Sequence, residues 1–181
     1  MRSIPHKLRT RPAKVDRFTY HYPGAALRAW RTDSEPCCRT LLLVNWFFAY
    51  GVMSTRVTKT RLGIDNNVAP REDLATLGEA AVKAGKIDRR ALNKLKRQEA
   101  AHANAVEGYS LFVAAILTAL FAGVPNETIN TIGVWYSLSR LSYSLCYTYI
   151  ENRSLSYIRS VVWWSGNISC ITGLVLAAKK L

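Results

Sequence analysis

Acidic residues are scarce in this chain, and so are cysteine and histidine. Twelve Asp and Glu stand against 25 Lys and Arg over 181 residues, a formal charge of +13. That excess admits three partners: nucleic acid, an anionic membrane surface, or an acidic small substrate. Nucleic acid fits worst, because the basic residues form no helix-turn-helix, zinc-finger or RNA-binding pattern. The four cysteines, Cys37, Cys38, Cys146 and Cys170, build no disulfide framework: sequence neighbours rarely pair, and the other two lie in apolar stretches. His6, His21 and His102 show no metal-ligand spacing with one another or with the cysteines, so no structural metal is expected. The N-terminal stretch has no apolar core of the secretory-signal kind. No internal repeat or low-complexity tract interrupts the reading.

Charge is also missing from one half of the chain. Residues 1–107 hold most of it and residues 108–178 very little, so the mean composition, 49% hydrophobic and 20% charged, conceals a segregation. The apolar half divides into three runs of membrane-spanning length, 108–126, 128–150 and 158–178. They are separated by a tight turn at Val124-Pro125-Asn126-Glu127 and a short polar loop from Glu151 to Tyr157. A fourth uncharged run, 40–55, reaches only ~24 Å as a helix against a ~30 Å hydrocarbon core. It reads as a short first span or as an interfacial segment anchored by Trp46 and Tyr50.

The remaining segments follow from composition. Residues 1–39 are Arg-rich and broken by Pro5, Pro12, Pro23 and Pro36, and are expected to be a disordered basic tail. Residues 56–90 read as a polar loop with short helical pieces, punctuated by Gly63, Pro70, Gly78 and Gly85. A helix capped by Asp88 is expected to run through Tyr109 into the membrane. The basic segments 56–97 and 151–159 belong on the cytosolic side, with the turn at 124–127 opposite. The basic tail conflicts with that orientation if 40–55 spans, and Lys179-Lys180 conflicts less strongly. The expected fold is therefore all-α: an integral membrane four-helix bundle over residues 40–181, with three clear spans and a short first one.

Two constellations carry candidate chemistry. Arg97, Asn104 and Glu107 fall within a helical sector of ~80° where the soluble-looking helix enters hydrocarbon. Such polar groups are costly there unless they are paired or used. Tyr136, Arg140, Tyr143 and Tyr147 share a sector of ~60° on the next helix. An unpaired Arg140 near mid-span would cost ~2.5–3.5 kcal/mol, so it must face protein or a polar cavity. One reading is an Arg140–Glu107 bridge between helices with tyrosines as packing. The other has Arg140 and the tyrosine hydroxyls lining a ligand site.

The run A-H-A-N-A-V-E-G-Y-S-L-F (101–112) resembles the second-helix signature of the membrane-associated proteins in eicosanoid and glutathione metabolism, the MAPEG family. R-L-S-Y-S-L-C-Y (140–147) is similar to that family's third-helix R-x-x-Y-x-x-x-Y, and I-R-S (158–160) to its basic entry to the fourth helix. The resemblance covers about residues 88–180. It implies a homotrimer that binds glutathione as co-substrate between subunits and takes a lipophilic second substrate from the bilayer. It also implies a setting in the endoplasmic reticulum or the mitochondrial outer membrane. By the resemblance, Asn104, Glu107, Arg140 and Tyr143 are glutathione contacts, with Arg97 as the nearest cation where the signature arginine is replaced by Ala100. Tyr147 and Arg159 correspond to the catalytic positions, with Arg153 as an alternative to Arg159 because the loop before it is long. The implied activity is glutathione transfer or peroxide reduction on lipophilic electrophiles or lipid hydroperoxides. The alternative is a non-catalytic protein of the same fold that binds lipid or another subunit, and Ala100 favours it.

The chemistry behind the implied site is simple. Glutathione carries two carboxylates and an ammonium, so its site needs cations and a carboxylate. A free thiol has a pKa of ~8.5, and a nearby Arg favours the nucleophilic thiolate.

Overall fold

The computed structural model describes residues 38–181. The expectation of a disordered tail over residues 1–39 lies, but for its last two residues, outside this range. Among the described residues every regular element is helical. Helix α1 (Cys38–Phe47) continues as a π-helical turn, Phe48–Val52; α2 (Arg56–Arg61) and α3 (Leu77–Lys83) are short. Three long helices follow: α4 (Arg89–Phe121), α5 (Asn126–Tyr149) and α6 (Tyr157–Ala178).

Helix α4 joins two environments. At 33 residues it extends about 50 Å. Its first half is built mostly from Ala, Leu, Lys, Arg, Gln and Glu, the strongest helix formers. Leu92 and Leu95 are buried beside α3, and Phe112, Ala115, Ile116 and Ala119 are buried among the long helices. Asp88 occupies the N-cap position with extended backbone, but its side chain makes no capping hydrogen bond. The helix stops at Phe121, five residues short of Asn126, because Gly123 turns left-handed at φ +69°. The amides of Gly123 and Val124 then close back onto the carbonyls of Leu120 (3.1 Å) and Ala119 (3.0 Å). Pro125 follows as the N-cap of α5.

Helices α4, α5 and α6 pack on one another, and α1 lies against α5 and α4. Their shared core holds Phe112, Ala115, Ile116, Ile129, Tyr136 and Cys170, with the Phe112 and Tyr136 rings stacked at 4.2 Å and 3°. Helices α4 and α6 are long and apolar enough to cross a membrane, by length and composition. Helix α5 is as long but more polar, and the disposition of its polar groups explains why. Ser139, Arg140, Ser144 and Thr148 are buried, whereas Val134, Trp135, Leu138, Leu141 and Leu145 are exposed. Polar residues turned inward and apolar ones outward suit a helix whose surroundings are lipid.

Residues 56–90 fold into a small lobe on the first half of α4, around Ile64, Leu74, Ala81, Leu92 and Leu95. Lys59 is buried at its centre. Its ammonium lies 3.1 Å from Asp73 and 3.1 Å from Glu99 of α4, and donates to the Pro70 carbonyl at 2.8 Å. Burial opposes that charge, but the hydrogen bonds to Asp73 and Glu99 outweigh it and raise the Lys59 pKa. His102 fastens α1 to α4: its Nδ1 donates to the Ala49 carbonyl in the π-helical turn at 2.8 Å, which fixes the tautomer.

Candidate functional site

A cleft of about 470 Å³ opens between the middle of α4, the C-terminal end of α5 and the start of α6, lined by Asn104, Tyr143, Tyr147, Arg159, Trp163 and Trp164 among others. Each side chain arrives there for a local reason. Tyr143 and Tyr147 are one turn apart on the inward face of α5, with ring centroids 5.4 Å apart. Arg159 lies in the first turn of α6, where its Nε donates to the Ser156 carbonyl at 3.3 Å. Its guanidinium rests over the Tyr147 ring at 4.6 Å, a cation–π contact between two residues of the cleft lining. The Asn104 Nδ2 donates back along α4 to the Ala100 carbonyl at 2.8 Å.

Arg140 lies beneath the cleft rather than in its wall, and is only 3% exposed. Its guanidinium sits 4.9 Å from the Tyr136 ring and 5.9 Å from that of Trp163, which does line the cleft. Its hydrogen-bond partner is the side-chain oxygen of Asn167 on α6. Glycines on both neighbouring helices make the space. A Cβ at Gly108 would stand 3.1 Å from the guanidinium, and one at Gly166 would stand 3.6 Å from it.

Four of the seven candidate residues therefore share one cleft: Asn104, Tyr143, Tyr147 and Arg159. The other three are placed elsewhere. Arg97 is tied to Glu151 at 2.8 Å and to the Thr148 carbonyl at 3.2 Å, stapling α4 to the loop before α6. Glu107 is exposed on another face of α4, where it lines a cavity of about 820 Å³ with Lys59, Glu99 and His102. The Arg140–Glu107 bridge, one of the two readings of the sequence, does not form; Arg140 takes Asn167 instead. A sector of ~80° is wide enough for neighbouring structure to divide it, with α5 and α6 on one side and the lobe on the other. Arg153 is also outside the cleft, where its carbonyl accepts from the Ser156 hydroxyl at 2.6 Å.

Sequence reasoning missed Asn167, Gly108 and Gly166. The signal for the first was present, since Asn167 is the only amide side chain in the run 160–178. A buried amide in an apolar helix needs a partner across the interface. The glycines carried none, because their meaning depends on which side chain approaches them.

Long helices with apolar outer faces and polar residues turned inward define a helical membrane protein. The MAPEG family profile matches residues 37–179, and the chain belongs to that family, whose members serve glutathione and eicosanoid metabolism. Neither the curated proteins nor the solved structures compared with the chain gave a match.

Proposed function

We propose that this protein is a membrane-embedded glutathione-dependent transferase or peroxidase acting on lipophilic electrophiles or lipid hydroperoxides. One observation carries the reading: Arg159, Tyr147, Tyr143 and Asn104 come from three helices to one cleft. A thiol placed there meets a guanidinium that favours its thiolate and phenol hydroxyls that can donate to sulfur. In transfer, the thiolate sulfur bonds to the electrophilic carbon as the leaving group departs with its electron pair. In peroxide reduction, two glutathiones and one hydroperoxide give the disulfide, an alcohol and water.

The reading extends to a four-helix bundle in which α1 is the first, short helix, and to a homotrimer. The outward residues of α4 support the latter: Ala103, Glu107, Ser110, Ala114, Leu117 and Phe121 are all exposed at a 4-3-4-3-4 spacing. That is a helix-packing seam, and a second copy would cover a Glu107 that lipid would penalise. The endoplasmic reticulum is the proposed setting.

The test is thiol consumption by purified, detergent-solubilised protein, with an activated aryl chloride and, separately, a lipid hydroperoxide. Turnover above the uncatalysed rate with either substrate is the expected result. A second reading, a non-catalytic member that binds lipid or another subunit, draws support from Ala100 and from the commitment of Arg97 to Glu151. Glutathione binding without turnover on either substrate would favour it.

A further inference from the structure

We propose that Asn167 is a positioning residue that holds Arg140 without neutralising it, leaving a full positive charge beneath the cleft. The proposal rests on the glutathione reading for its biological use but not for its electrostatics. Buried arginines are ordinarily paired with a carboxylate. Here the acceptor is the neutral amide oxygen of Asn167, itself only 6% exposed. Among the described residues no carboxylate pairs with Arg140, and its Nε and Nη1 are buried without a hydrogen-bond partner. The cation is stabilised instead by the faces of Tyr136 and Trp163.

The surroundings keep the guanidinium in place. Gly108 on α4 and Gly166 on α6 leave room for it, and a side chain at position 108 would press on it at 3.1 Å. The titratable groups nearest it are Tyr136 and Tyr143 on α5 and Cys170 on α6, with Arg159 and Glu107 at the margin. Only Glu107 brings negative charge, and it is exposed on another face of α4. The positive charge is therefore not cancelled locally. Trp163, 5.9 Å from the guanidinium, separates it from the cleft, so an anion bound there feels the charge through a low-dielectric layer. Asn167 thus does two things that an aspartate would not do together: it orients the guanidinium, and it leaves the charge to the ligand.

That contrast gives the test. Asn167→Asp keeps an acceptor in place but cancels the charge. The first readout needs no glutathione: Ser160→Cys puts a thiol in the cleft wall, and its alkylation rate against pH, resolved by peptide mass spectrometry, reports its pKa. Adding Asn167→Asp is expected to raise that pKa by about one unit, a tenfold loss of thiolate while the thiol dominates. Asn167→Gln, which restores a neutral acceptor, is expected to leave it in place. The second readout is glutathione affinity by calorimetry, expected to fall about tenfold in Asn167→Asp.

An introduced thiol that titrates alike with and without Asn167→Asp overturns the proposal. Should the aspartate variant fail to fold, Arg140→Gln in the Ser160→Cys background carries the same expectation and the same power to overturn it. If the introduced thiol shifts while wild-type protein binds no glutathione, the glutathione reading fails and the charge assignment stands.

Discussion

Lys59 and Arg140 are each 3% exposed, yet the protein treats the two buried cations in opposite ways. Lys59 sits in the small lobe of residues 56–90, between Asp73 and Glu99, with the Pro70 carbonyl completing its hydrogen bonds. Arg140 sits among the membrane helices with one amide oxygen, two aromatic faces and two donors left over. The difference separates a charge used to hold structure from one that structure holds. Two carboxylates neutralise Lys59, whereas among the described residues none pairs with Arg140.

Removing each charge sharpens the comparison most. Lys59→Met strands Asp73, which is fully buried, and is expected to cost about 3–5 kcal/mol through the uncompensated carboxylate. Arg140→Leu removes an incompletely paired charge and leaves only the Asn167 amide unsatisfied, an expected cost of about 1–3 kcal/mol. Function is expected to follow the reverse order. Lys59→Met that remains folded should still bind glutathione, and Arg140→Leu should lose binding while folding and assembling normally. Thermal melts with calorimetry on the folded fraction decide the matter. Equal destabilisation by both, with glutathione binding intact in folded Arg140→Leu, would make Arg140 another structural cation.

The sequence showed the inward face of α5 more clearly than the surroundings of that face. Helical spacing alone placed Tyr136, Arg140, Tyr143 and Tyr147 together, and three of them are buried with Tyr147 half-buried. Spacing also put Arg97, Asn104 and Glu107 on one face, but could not tell which neighbour each would meet. Arg97 found Glu151, fifty-four positions along the chain, and no local pattern encodes such a pairing. The lobe was legible only as polar sequence with turns. Its packing depends on Ile64 and Leu74, isolated apolar residues that show no period, meeting Leu92 and Leu95 from α4. The end of α4 at Phe121 was written in Gly123 and Pro125, which outweigh the uncharged run that continues past them.

Within the cleft, the next comparison is between the two arginines near the start of α6. Arg159 rests over Tyr147 in the cleft, whereas the Arg153 side chain is exposed outside it. Arg159→Ala is expected to leave glutathione affinity within about threefold and to shift the bound thiol's titration up by about one unit. Turnover near neutral pH would then fall about tenfold. Arg153→Ala is expected to change neither. Thiolate absorbance against pH in detergent-solubilised protein is the readout. A shift in Arg153→Ala with none in Arg159→Ala would move the thiol to another part of the surface.

The smallest expected effect lies in the lobe and compares its buried and exposed ion pairs through pH. Lys59 has a folded pKa above its ordinary value of 10.5. Its contribution is therefore complete below that value and is lost only as pH rises through the raised folded pKa. Glu79 runs the other way. Hydrogen bonds from Lys96 and Arg89, at 2.7 and 2.6 Å, hold its carboxyl below the ordinary 4.5. Its contribution is present above 4.5 and disappears as pH falls through the lower folded value. Because the Glu79 contacts lie at the surface, the acid loss should be slight and screened by salt, while the Lys59 loss should resist salt. Hydrogen exchange of amides in α3 and the first half of α4, followed against pH at two ionic strengths, measures both. Glu79→Gln should flatten part of the acid limb and leave the alkaline limb unchanged. An alkaline limb that vanishes in 1 M salt would mean that the Lys59 cluster is open to solvent, and its contrast with Arg140 would then lose its structural side.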